Sequence, residues 1–125
     1  DSHSVICSTS VNQDGRSSSL TAPNGPSQQQ VMRFALSQSC IDASSVRSLQ
    51  MHGTGTSLGD PIEMGAACAV LQSSSSSSSD SSDLLLAAVK SCCGHSEPAA
   101  GVTGIIQTLH AQNLCLSAPI MHFDL

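Results

Sequence analysis

The sequence predicts an α/β fold with at least partly parallel strands, on three observations. Strand-like and helix-like segments alternate along the chain. The run Leu84 to Val89 is continuously apolar, as a strand covered on both faces would be. Two histidines, His52 and His95, each stand just past the carboxyl end of an expected strand and before an expected helix. In open α/β sheets ligands bind at that end of the strands, so the same pattern predicts where a site should lie.

Taken in order, Ser4 to Val11 carries β-branched residues at Val5, Ile6, Thr9 and Val11 and is expected to be a strand, ended by the turn chemistry of Asn12-Gln-Asp-Gly15. After Thr21-Ala-Pro-Asn-Gly-Pro26, Ser27 is placed to cap a helix running to about Gln38, with Val31, Ala35 and Leu36 on its inner face. Val46 to Met51 is a short strand that delivers His52 into the glycine-rich turn His52-Gly-Thr-Gly-Thr-Ser-Leu-Gly59. Asp60-Pro-Ile-Glu63 has the form of a helix start, Asp60 accepting from a first-turn N–H and Glu63 reaching back, and the helix should run to about Leu71. Leu84 to Val89 is the next strand, Ser91-Cys-Cys-Gly-His95 the next turn, and Pro98 to about Gln112 the last helix. Val102, Ile105, Ile106 and Leu109 should form its buried side, with Gly101 and Gly104 allowing another backbone close.

A chain of 125 residues can bury about two-thirds of its unfolded surface. With Phe34 and Phe123 as its only aromatics, the core must be built from Val, Ile, Leu, Met and Ala. The serine run from Ser73 to Ser79 and its continuation to Asp83 offer nothing apolar to bury, and residues 72–83 are expected to be a disordered insert. A net charge of −5, with no basic cluster, argues against nucleic acid or anionic membrane surfaces as partners. No stretch has the ~18 apolar residues of a membrane span. The first residues, Asp1-Ser-His-Ser4, lack a signal peptide's basic start, so a soluble protein of the cytoplasm or an organelle stroma is expected. The absence of an initial Met suggests an internal piece of a longer protein. Cys7, Cys40, Cys68, Cys92, Cys93 and Cys115 follow no disulfide or zinc spacing and are expected to be reduced, buried thiols, with no metal bound.

Two histidines with glycine neighbours can converge on one pocket if their strands are adjacent; the alternative is that each satisfies backbone groups of its own loop. The residues around them carry a resemblance. Met51-His-Gly-Thr-Gly-Thr-Ser-Leu-Gly-Asp-Pro-Ile-Glu63 and Val89-Lys-Ser-Cys-Cys-Gly-His-Ser-Glu-Pro-Ala-Ala-Gly101 resemble the two histidine motifs of β-ketoacyl synthases. Asn12-Gln-Asp-Gly15 and Leu20-Thr-Ala-Pro-Asn-Gly25 are similar to that family's loop and domain junction, above all in polyketide synthases.

The resemblance implies a thiolase-like layered fold, of which residues 1–20 would end the first ketosynthase half and residues 21–125 form most of the second. It also implies decarboxylative condensation of a malonyl-type thioester with an acyl-cysteine, the acyl groups carried on the phosphopantetheine of an acyl carrier protein, in polyketide or fatty acid biosynthesis. A homodimer is implied for the complete enzyme, and no covalently bound cofactor. By the same resemblance His52 and His95 are the catalytic donors that stabilise the enolate oxygen, and Lys90 supports them, the alternative for Lys90 being a strand-end lysine reaching water. Thr54 and Thr56 resemble the residues that bind the pantetheine arm, though their hydroxyls can equally steady the glycine turn. Asp60 and Glu63 are read as helix caps.

The sequence departs from the family pattern at Cys92, Cys93 and Pro98, which stand where Asn, a bulky aliphatic residue and Ala are common, and at Ser19, which replaces a glycine. None of its cysteines stands in a sequence like the family's nucleophile turn, so the 125 residues alone are expected to be inactive. A non-catalytic remnant or dimer-forming piece, and a protein that only decarboxylates or binds acyl groups, are the alternatives left open.

Overall fold

Two three-residue strands set the frame. In the computed structural model, which describes residues 4–15, 22–72 and 84–114, β1 (Ser48–Gln50) and β2 (Leu85–Ala87) pair in parallel, with Ser48 opposite Leu85, Leu49 opposite Leu86 and Gln50 opposite Ala87. The ladder continues at both ends, Leu85 donating to the Arg47 carbonyl at 2.9 Å and Met51 to that of Ala87 at 2.8 Å. Parallel strands need a crossover, and here it includes the helix α2 (Gly59–Leu71). The α/β class and the parallel pairing are therefore both present. The serine insert, Ser19, Leu20, Cys115 and Phe123 lie outside the described residues.

Helix α1 (Gly25–Ser39) packs against α2, and Arg33 reaches across to donate to the Ala69 carbonyl at 3.2 Å. Val31, Ala35 and Leu36 lie half-buried, on the inner side as expected. The cap differs from expectation by one turn. Asn24, not Ser27, stands in extended conformation before the helix, and its side-chain oxygen accepts from the Ser27 N–H at 3.2 Å. Pro26 in the first turn explains the shift, because it sits where a helix needs no donor. A short helical turn, α3 (Lys90–Cys93), and the helix α4 (Ala100–Leu114) complete the described elements, with a 3₁₀ turn at Glu97–Ala99 between them.

The core is made of small residues. Met51, Val70 and Val89 are buried together with Ala66, Ala67, Ala87, Ala88 and Ala100. Close approach replaces bulk: Gly104 of α4 faces β1, where a Cβ would stand 3.3 Å from the Gln50 side chain.

Three expectations are corrected. Residues 4–11 form no strand; Val5, Ile6 and Val11 are exposed, and no described strand lies beside them to complete a ladder. The segment is instead pinned by side chains, Ser8 donating to the Ala35 carbonyl at 2.7 Å and Asn12 to that of Ser27 at 2.7 Å. On α4 the buried positions are Ala100 and Gly104, while Val102, Ile105, Ile106 and Leu109 face outward, because contact with β1 selects the face that lets backbones meet. The described cysteines are free thiols, but Cys7, Cys40, Cys92 and Cys93 are exposed and Cys68 is half-buried.

These burial assignments make a direct test. Ala66→Leu should lower stability by about 1–3 kcal/mol through overpacking, whereas Val102→Ala should change it by no more than about 0.5 kcal/mol. Urea midpoints of the two variants check the contrast; a large loss for Val102→Ala would contradict the outward placement of that face.

Candidate active site

His52 lies two residues past the end of β1, in a turn that needs glycine. Gly53 has φ +49°, and a Cβ there would stand 2.7 Å from that of Ala88, so the turn lies against the residues that follow β2. Two carboxylates at the start of α2 hold this turn. The N–H groups of His52 and Gly53 donate to the two oxygens of Glu63, the second at 2.9 Å. Those of Gly55 and Thr56 donate to Asp60 at 3.1 and 3.2 Å. Asp60 and Glu63 thus do not cap their own helix, as the sequence suggested. Thr56 does that work, its hydroxyl accepting from the Gly59 N–H at 3.0 Å and its carbonyl from that of Asp60 at 3.2 Å.

The second histidine arrives from the neighbouring strand. After β2 the chain makes the single turn α3 and leaves it at Gly94, whose φ of 75° and ψ of −178° are open essentially to glycine alone. This reversal brings His95 back to His52, with ring centroids 5.5 Å apart and planes at 89°. The Glu97 N–H donates to His95 Nδ1 at 3.2 Å, and Glu97 itself takes a positive φ of 43° to make that contact. A ring nitrogen that accepts carries no proton, so the proton of a neutral His95 sits on Nε2.

Lys90, at the start of α3, settles the same question for His52. Its ammonium donates to the His52 carbonyl and stands 3.3 Å from His52 Nδ1. It is turned to the histidine. An ammonium has only donors, which makes Nδ1 the acceptor and places the His52 proton on Nε2 as well. The proton affinity of His52 is lowered below its ordinary 6.5, first by loss of hydration and next by the Lys90 charge; His95 acts in the same direction, and Glu63 and Asp60 oppose it. His52 is nevertheless an exposed residue.

A cavity of about 740 Å³ opens beside His52, and Thr54 and Thr56 line it with Asp60 and Glu63. His95 and Lys90 are not in its lining. The structure thus groups His52, His95 and Lys90 in one cluster and puts the two threonines on the adjoining wall. Among the described residues no His, Cys, Asp or Glu are grouped as a metal ion would need, and no helix is long and apolar enough to cross a membrane. The backbone grip of Glu63 was missed in the sequence because a carboxylate three residues after Asp60 at a helix start has the same signature whether it serves its own helix or the preceding turn.

With this geometry in view, comparison with known proteins is decisive. The profile of the family described as "Beta-ketoacyl synthase, C-terminal domain" matches residues 3–124. The chain belongs to this family. Among curated relatives, it is 43% identical over 120 residues to the spectinabilin polyketide synthase system protein NorA' of Streptomyces orinoci, covering 96% of this chain and 3% of that protein. It is 44% identical, over the same share of each, to the pikromycin polyketide synthase component PikAII of Streptomyces venezuelae. Among solved structures it superposes on the ketosynthase from module 6 of the bacillaene synthase of Bacillus subtilis 168 with a TM-score of 0.85 and 34% identity, covering 96% of this chain and 22% of that one. The ketosynthase fold is thiolase-like, and the α/β expectation agrees with it. The chain spans a small part of each of these proteins.

The His52 environment predicts a titration. Its ring protons should titrate below 6.5, and Lys90→Met should move that midpoint upward by removing the opposing charge. Because the folded state binds this proton less readily than the unfolded chain, the stability His52 contributes is complete above 6.5 and is lost as pH falls toward its depressed folded value. A proton NMR titration of the two proteins checks both points; an unmoved midpoint in Lys90→Met would contradict the contact.

Proposed function

We propose that this chain supplies the decarboxylation site of a polyketide-type β-ketoacyl synthase, with His52 and His95 as paired hydrogen-bond donors. The observation that carries the reading is that the two rings meet at 5.5 Å while each Nδ1 is already engaged, by Lys90 and by the Glu97 N–H. Two Nε2–H groups are left for an incoming oxygen. When a malonyl-type thioester loses CO₂, the C–C bonding pair passes into an enolate and negative charge gathers on the thioester oxygen. Neutral donors already in position favour that charge over the uncharged ground-state carbonyl, which is what accelerates a reaction. The carbanion then attacks the thioester carbonyl of an acyl-cysteine, the cysteine thiolate leaves, and a β-ketoacyl thioester results.

In this reading Lys90 orients His52 and keeps it unprotonated, since an imidazolium would exchange a preorganised neutral donor for a proton source. Thr54 and Thr56 hold the pantetheine arm of the substrate. The partner is an acyl carrier protein whose phosphopantetheine carries the malonyl-type unit, and the complete enzyme is a homodimer. The acyl-bearing cysteine belongs to the first half, whose last residues are 1–20 here, and residues 21–125 belong to the second. The apolar side chains left facing outward on α4 and at Val5, Ile6 and Val11 support a chain that works joined to a larger body.

In a complete ketosynthase carrying this segment, His52→Ala or His95→Ala should each lower the elongation rate by about 10²–10³-fold, the usual effect of losing one oxyanion donor. Acylation of the cysteine should stay largely intact. Single-turnover assays that separate acylation from elongation check this, and normal elongation in either variant would overturn the roles. The 125 residues alone should give no condensation product.

A further inference from the structure

Gln28, which lines the cavity beside His52, carries a polar atom that the described residues leave unanswered. The side-chain oxygen of Gln28, on α1, is buried and has no hydrogen-bond partner among the described residues, and Gln28 lines the same cavity as His52, Thr54 and Thr56. Buried acceptors are almost always paired in native structures, so an unpaired one beside a cavity points to a donor that arrives from outside.

Its surroundings say what kind of donor. Of the three carboxylates in the lining, two are already committed, Glu63 to the N–H groups of His52 and Gly53 and Asp60 to those of Gly55 and Thr56; the third, Asp14, is exposed on the loop before α1, and all three disfavour an anionic ligand. The Thr56 hydroxyl already accepts from the Gly59 N–H, so its own proton is free to be donated. Val31, Met32, Leu49 and Ala67 add apolar wall. A ligand that answers both Gln28 and Thr56 against this wall is a partly apolar chain without negative charge that presents both a carbonyl and an N–H, and a secondary amide does so. Gln28 is also held in place before any ligand comes. Its N–H bonds the Asn24 carbonyl at 3.1 Å, and Asn24 in turn donates to the Asp14 carbonyl at 2.9 Å, fixing the start of α1 to the loop before it.

We propose that Gln28 is a substrate-binding residue whose side-chain carbonyl accepts a hydrogen bond from an amide N–H of the pantetheine arm, opposite the Thr56 hydroxyl that serves an amide carbonyl. The inference rests on the proposed ketosynthase reading of this cavity and adds to it the acceptor that the threonines cannot replace once their hydroxyls donate. It also implies that the oxygen is unsatisfied in the empty enzyme, so that an apolar residue of similar length costs the resting fold nothing.

Gln28→Met in a complete ketosynthase carrying this segment separates the outcomes, with malonyl-pantetheine as the extender. The expected result is a KM for malonyl-pantetheine raised about three- to ten-fold, the size of one neutral hydrogen bond, an unchanged kcat, and a melting temperature without substrate equal to or above that of the parent. An unchanged KM would overturn the assignment, and so would a raised KM accompanied by a lowered melting temperature, which would make Gln28 a structural residue. His52→Ala in the same protein isolates the underlying reading: if it elongates normally, the ketosynthase reading fails, whereas loss of elongation there with an unmoved KM in Gln28→Met sinks only the role of Gln28.

Discussion

The grip of two carboxylates on the backbone of residues 52–56 is the constraint on which the site depends. Glu63 and Asp60 stand at the start of α2, one turn apart, and together they accept four N–H groups from the turn that carries His52. Charge-assisted hydrogen bonds of this type are stronger than neutral ones. A glycine-rich turn loses more conformational freedom on ordering than other sequences do, and these bonds offset that loss. The result is a histidine backbone fixed before any substrate arrives, with Gly53 pressed against Ala88 and hence against the other strand's continuation. Because the same strand continuation leads to Lys90 and on to His95, the parallel pairing of β1 with β2 is what brings both histidines to one place.

Electrostatics then assign a state to His52. An ammonium beside one ring nitrogen and partial loss of hydration both disfavour a second proton. The nearby carboxylates would favour one, but their oxygens are occupied by backbone donors, and their pull is smaller than the sum of the opposing effects. Lys90 thereby does two things through one group: it holds the ring from the Nδ1 side and keeps it neutral. His95 has its Nδ1 occupied by the backbone of Glu97, without a charged side chain in that role.

Much of this was legible in the sequence, and for identifiable reasons. The β–turn–α pattern around each histidine and the parallel pairing follow from periodicity and from the glycine-rich turns, whereas spacing left the closeness of His52 to His95 open and only the resemblance of their motifs implied it. The face of α4 was not legible. Val102, Ile105, Ile106 and Leu109 form an apolar stripe at helical spacing, but Gly104 allows β1 closer than any of them would, and within this chain close approach outweighed side-chain bulk. Residues 4–11 misled in a related way, since β-branched residues prefer extended backbone whether or not a ladder partner stands beside them. The roles of Asp60 and Glu63 were hidden by degeneracy: a carboxylate at a helix start has two sets of N–H groups within reach, and only coordinates tell which set it chose. The unanswered oxygen of Gln28 has no sequence signature at all.

The central claim is that two neutral imidazoles present their Nε2–H groups to a shared point. The most direct measurement is ¹⁵N NMR of ring-labelled histidine in the complete ketosynthase near neutral pH, with His52→Ala and His95→Ala used for assignment. The account predicts that both residues give the shifts of a neutral ring protonated on Nε2, with Nδ1 bare. A ring of either residue protonated on Nδ1, or on both nitrogens, would contradict it.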